Sequence, residues 1–218
     1  MKKQLLLIIA LCGILVGFEQ DTKPNVLIIG DSISIGYTPY VKTALQDRAN
    51  VFHNEGNAQH TGTGLEKIEE WLGETQWDII HFNWGLWDLC YRHPDSKESG
   101  NRDKRNGTVT YTPTEYGENL EKLVVRLKKT KAKLIFATTS YVPKGEVGRV
   151  VKSDNLYNKV ALAVMKKHGI TVNDIHSFAK KVHRKHASGQ GDVHYTKKGY
   201  KLLSEPVVRS IEKHLKSI

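Results

Sequence analysis

The chain has 218 residues, with 33 Lys and Arg against 23 Asp and Glu, for a net charge of +10. That length suits one sizeable α/β domain and is short for two. Two cysteines, one of them in the leader described next, exclude an internal disulfide in the mature chain. The basic excess is spread over helix-like segments, which reads as solvated faces and not as a nucleic-acid patch.

The first residues, Met1-Lys2-Lys3-Gln4, precede an apolar run over 5–18. This is the pattern of a secretory signal, and the run is short for a membrane span. The expectation is a leader over 1–17, cleavage near Gly17, a single domain over 24–218, and export from a bacterial cell. Lipidation at Cys12 is disfavoured because bulky Leu11 stands where a lipidation signal has a small residue. Cleavage removes Lys2 and Lys3 and lowers the charge from +10 to +8.

Beyond the leader, strands and helices alternate. Strands are predicted at 26–29, 51–54, 77–83, 133–138 and 170–173, and helices at 38–48, 64–72, 114–129, 153–168, 174–186 and 196–215. Such alternation predicts an α/β fold, a three-layer sandwich with a parallel sheet of about five strands in a flavodoxin-like layout. Residues 88–112 break the pattern. They are polar and aperiodic, follow the third strand, and read as a substrate-contacting insertion or a lid. Cys90, at the start of that stretch, is expected to pack and not to react.

Gly30-Asp31-Ser32 ends the first strand, at the sheet edge where open α/β folds keep their sites. Ser32 there is either a turn or cap residue, or a nucleophile beside helix-start amides. A serine hydroxyl needs a base, and His194 in Asp192-Val193-His194 is the candidate, with Asp192 to orient it.

With these pieces the chain resembles the SGNH hydrolases, the GDSL esterase/lipase superfamily. The matching blocks are Gly30-Asp31-Ser32, Asn54-Glu55-Gly56, Asn83-Trp84-Gly85-Leu86-Trp87-Asp88 and Asp192-Val193-His194, in the family order. The resemblance implies serine hydrolase chemistry, with Ser32 as nucleophile and His194 as general base and acid. It also shows departures. The family acid normally lies three residues before the histidine, where this chain has Gly191. The third block has Trp87 where the family has an oxyanion-donating Asn. Candidate oxyanion or substrate-binding positions are Gly56 (Gln59 in another register), Asn83, Gly85 and Trp87, whose ring suits a sugar.

No cofactor is expected, and no metal. His176, His183 and His186 lie in a Lys-rich helix and read as a solvated face. Thr61-Gly62-Thr63-Gly64 lacks a nucleotide-loop ending. The resulting expectation is a monomeric, exported esterase removing acyl groups, above all acetyl, from oligosaccharide or polysaccharide, with no nucleic-acid partner and no membrane span after leader removal. Trp84, Trp87 and Tyr91 are expected near the site. The alternatives are sulfate or phosphate ester hydrolysis, a lipase, and a silent carbohydrate-binding protein.

Overall fold

A computed structural model describes residues 23–217. The leader, its cleavage near Gly17 and Cys12 lie outside the described residues. The first half runs β1 (Asn25–Ile29), α1 (Ser32–Leu45), β2 (Asn50–His53), α2 (Thr61–Leu72), β3 (Ile79–Phe82), β4 (Tyr91–Arg92) and β5 (Thr108–Val109). The second half runs α3 (Pro113–Lys128), β6 (Lys133–Ala137), α4 (Ser153–His168), β7 (Thr171–Asn173), α5 (His176–His186) and α6 (Lys197–Leu215).

Five strands form one parallel sheet in the order β2-β1-β3-β6-β7. This is the flavodoxin-like order expected from the alternation, and the strand order reverses between β1 and β3. Central strands β1 and β3 are almost continuously apolar and buried, because helices cover both faces. α1, α5 and α6 pack together, as do α2, α3 and α4. Gly36 permits the close approach of α1 to α6: a Cβ there would sit 2.3 Å from the Tyr200 ring. The Lys and Arg residues at 180–185 lie on an exposed helix face, as expected, whereas those at 128–133 are exposed at the end of α3, in the turn after it and at the start of β6.

Most predicted elements lie within a few residues of those observed. The exception is α1, which begins at Ser32 and not near residue 38. Asp31 caps it, its Oδ1 accepting from Ile33 N at 2.9 Å. Gly36 and Pro39 disguise this first turn, since both are weak helix formers. Ser32 is thus the first helical residue and not the cap.

The 88–112 stretch is not a featureless loop. It carries the antiparallel pair β4–β5 and is tied to the segment before α4 by Tyr91 N to Gly148 O at 2.7 Å and Lys104 N to Val147 O at 3.0 Å. Cys90 is buried and free.

Candidate active site

The turn after β1 is held from both sides. Asn54, buried at the end of β2, accepts from Gly30 N at 2.9 Å, and Ala58 N donates to Gly30 O at 3.0 Å. Gly30 itself is tight, since a Cβ would lie 2.8 Å from Ser34 Oγ. These contacts present Ser32 at the carboxyl edge of the sheet. Its own amide is among the first N–H groups of α1, which have no intrahelical acceptor. Burial pushes the Asp31 carboxyl up, against the bond from Ile33.

His194 arrives from the far end of the chain. The connection between α5 and α6 is pinned by a bridge between Ala187 and Tyr195, by Ser188 N to His194 O at 3.0 Å, and by Thr196 N to His186 O at 2.9 Å. His194 Nε2 lies 2.9 Å from Ser32 Oγ. Asp192 Oδ1 accepts from His194 Nδ1 at 2.6 Å and from His194 N at 3.0 Å, and Oδ2 accepts from Ser188 Oγ at 2.5 Å. Partial burial raises the Asp192 pKa, but the bonds from Ser188 and His194 outweigh it and hold it near about 2. The carboxylate therefore stays charged, the Nδ1–H tautomer is selected, and the Nε2 lone pair faces the hydroxyl.

The acid stands two residues before the histidine because position 191 has no room for it. Gly191 has φ +72°, and a Cβ there would lie 2.7 Å from the Gly145 carbonyl. His183 is a positioning residue that the sequence hid. It is buried, it is not on a solvated face, and its Nε2 lies 2.6 Å from Asp192 O. His176 also departs from that expectation, lying 2.6 Å from the Asp154 carboxylate. Among the described residues, no cluster of three or more His, Cys, Asp or Glu could hold a metal.

A cleft of about 650 Å³ opens over Ser32 and His194. Trp87 lines it, with the Arg92 guanidinium 4.5 Å over its ring. The other expected binding positions fall elsewhere. Asn83 Nδ2 donates to Ala137 O at 2.7 Å and so ties β3 to β6. Gly85, at φ +146°, packs against Thr139, where a Cβ would come within 2.5 Å of Oγ1. Gly56 is exposed outside the cleft, and Gln59 lines a neighbouring hollow. Asn57, which the sequence reading passed over, lines the cleft with Ser32. Its Oδ1 accepts from Gln59 N at 2.8 Å, which turns Nδ2 away from that bond. Trp84 is a core residue whose Nε1 donates to Ala58 O at 3.2 Å, and Tyr91 does not line the cleft. Behind Trp87, Asp88 is fully buried. Burial pushes its pKa up to about 7, despite bonds from Thr61 N and Oγ1 to Oδ1 at 2.9 and 2.6 Å.

Arg92, Arg102 and Arg149 also line the cleft, and no sequence period marked them. Arg149 is buried, donating from Nε to Leu86 O at 2.7 Å and pairing with buried Glu146 at 2.8 Å.

The GDSL-like Lipase/Acylhydrolase family matches the chain over residues 28–202, and the chain belongs to it. No curated protein sequence matches the chain. The fold is that of solved SGNH-type esterases. An acetylxylan esterase from Geobacillus stearothermophilus is 18% identical, with a TM-score of 0.69 over 87% of this chain and 94% of that one. A lipase/acylhydrolase from Enterococcus faecalis is 21% identical, with a TM-score of 0.68 over 87% and 96%. An acetyl xylan esterase is 14% identical, with a TM-score of 0.68 over 86% and 99%. The protein is a carboxylic ester hydrolase of the GDSL type.

Proposed function

We propose that this hydrolase removes acetyl groups from carbohydrate, with Ser32 as nucleophile, His194 as general base and acid, and Asp192 as the group that orients and charges the imidazole. The observation that carries this reading is the unbroken hydrogen-bonded run from Ser32 Oγ through His194 to Asp192 Oδ1, at 2.9 and 2.6 Å. Ser32 Oγ attacks the ester carbonyl as its proton passes to His194 Nε2. The carbonyl oxygen becomes an oxyanion, which the Ser32 amide and Asn57 receive. His194 then protonates the leaving sugar oxygen as the C–O bond breaks, leaving an acyl-serine. Water, deprotonated by the same nitrogen, adds to the acyl carbonyl. Collapse releases acetate, and the proton returns to Ser32.

The acetyl-carbohydrate assignment is supported by two structural relatives described as acetyl xylan esterases and by the Trp87 ring on the cleft wall. Export is supported by Lys2, Lys3 and the apolar run over 5–18, with the hydrolase domain over 24–218. No helix among the described residues is long and apolar enough to cross a membrane.

Wild-type protein and Ser32→Ala should be compared on aryl acetates and acetylated xylo-oligosaccharides. Acetate release by the wild type, lost in the variant, is expected. Equal release by both would end the assignment.

A further inference from the structure

The wall of the cleft beyond Trp87 holds three arginines, Arg92, Arg102 and Arg149, which share one paired carboxylate among the described residues. Glu146 Oε1 accepts from two guanidiniums at once, Arg102 Nη1 at 3.0 Å and Arg149 Nη1 at 2.8 Å, and Oε2 is taken by Gly148 N at 2.7 Å. One carboxylate therefore serves two cations. Arg92 has no carboxylate partner among the described residues: its contacts are Thr110 Oγ1 at 3.3 Å, the Gly100 carbonyl and the Trp87 ring. Burial, with repulsion from Arg149 and Arg102, lowers its pKa from the ordinary arginine value. None of the remaining acids on the cleft forms an ion pair with an arginine. Asp192 is bonded to His194 and Ser188, and Asp31 caps α1, its carboxyl pushed up by burial. Glu98 is exposed on the loop rim and forms no ion pair. The arginines are also held in place, Arg149 by Leu86 O at 2.7 Å and Arg102 by Ser99 O at 2.9 Å. Fixed guanidiniums with unused donors are complementary to anionic oxygens.

We propose that the ester substrate carries a carboxylate or sulfate group, bound in the cleft by Arg92 and Arg102 beside the scissile ester. The inference rests on the ester hydrolase reading and narrows it to acidic sugars. The net charge, +10 for the full chain and +8 without Lys2 and Lys3, adds long-range attraction for such a polymer.

The test compares kcat/KM on three substrates: acetylated galacturonate oligomers, an acetylated sulfated sugar, and neutral acetylated xylo-oligosaccharides. One acidic substrate should exceed the neutral one by on the order of 10-fold at low ionic strength, with the margin shrinking in high salt. Whichever acidic substrate leads identifies the anion. Arg92→Gln and Arg102→Gln should each shrink the acidic-to-neutral ratio several-fold, and Arg92→Lys should retain more of it than Arg92→Gln. Circular dichroism checks that each variant folds. Equal or faster turnover of the neutral sugar, or a ratio unmoved by both Gln variants, would overturn the anion site and leave the esterase standing. Should no ester be cleaved, the esterase reading fails, and Ser32→Ala titrated with galacturonate and xylose oligomers still decides. Tighter binding of the acidic oligomer supports the site, and equal binding overturns it.

Discussion

Replacing Asp192 by Asn separates the charge of this residue from its orienting role. Asp192 Oδ1 accepts from both Nδ1 and the backbone N of His194, while Oδ2 accepts from Ser188 Oγ. A carboxamide satisfies this arrangement in one way only, with Oδ1 toward His194 and Nδ2 donating to the Ser188 hydroxyl, which can accept. The opposite flip would set an NH₂ group against two N–H donors. The imidazole should therefore keep its Nδ1–H tautomer and still offer Nε2 to Ser32. What disappears is the negative charge that stabilises the imidazolium. At about 1.36 kcal/mol per pKa unit, the drop of the Asp192 pKa from 3.8 to about 2 corresponds to about 2.4 kcal/mol for Ser188 and His194 together, which bounds the charge interaction with the imidazolium from above. With 36% of the side chain exposed, solvent screening reduces this to about 1.2 kcal/mol in the open cleft. Substrate that expels water moves the value back toward the larger figure, so kcat should fall by no more than about 60-fold. Asp192→Ala loses orientation as well and should fall about 1,000- to 10,000-fold. Aryl acetate kinetics and nitrogen NMR of His194 measure both effects. An Asn variant as damaged as the Ala variant, or one showing the Nε2–H tautomer, would refute the reasoning.

Three further outcomes follow from the same structure. Native Asp88, with its pKa pushed up to about 7 from 3.8, holds a proton that the unfolded chain has lost between those values, so its contribution to stability falls as pH rises across that window. Urea unfolding should show Asp88→Asn gaining on wild type by up to on the order of 4 kcal/mol between pH about 4 and pH about 8, whereas a pH-independent difference would contradict the burial argument. His183→Phe keeps the ring packing against Tyr195 and Tyr141 but loses the bond to Asp192 O, so kcat should drop about 5-fold with KM little changed and stability should fall by about 1 kcal/mol; an unchanged kcat would remove its positioning role. Gly191→Asp restores the family's acid position but meets positive φ and the Gly145 carbonyl, so in an Asp192→Ala background it should restore no activity and should cost about 2 kcal/mol in thermal unfolding.

The fold was legible because burial dictates periodicity: β1 and β3 are nearly continuous apolar runs, and α3 repeats its buried Leu120, Leu123, Val124 and Leu127 at helical spacing. The start of α1 was not, because its capping lies in Asp31 while Gly36, packed against Tyr200, and exposed Pro39 pull local propensity the other way. Ser32, His194 and Asp192 could be nominated from short motifs, since each sits at a strand or helix boundary that the sequence marks. The rest of the cleft could not. Asn83 and Gly85 carry the right residue types, yet a carbonyl on β6 and the Thr139 side chain claim them. Arg102 and Arg149 bond to partners far away in sequence, Asn57 and His183 reach the site only through the folding of their loop and helix, and no local period announces such contacts.

The central claim is that His194 activates Ser32 as a nucleophile. Labelling the folded protein with a fluorophosphonate and mapping the adduct by mass spectrometry tests it directly. The account predicts a single adduct on Ser32 in the wild type, abolished in Ser32→Ala and strongly slowed in His194→Ala. A folded wild type that takes no label, or takes it on another residue, would contradict it.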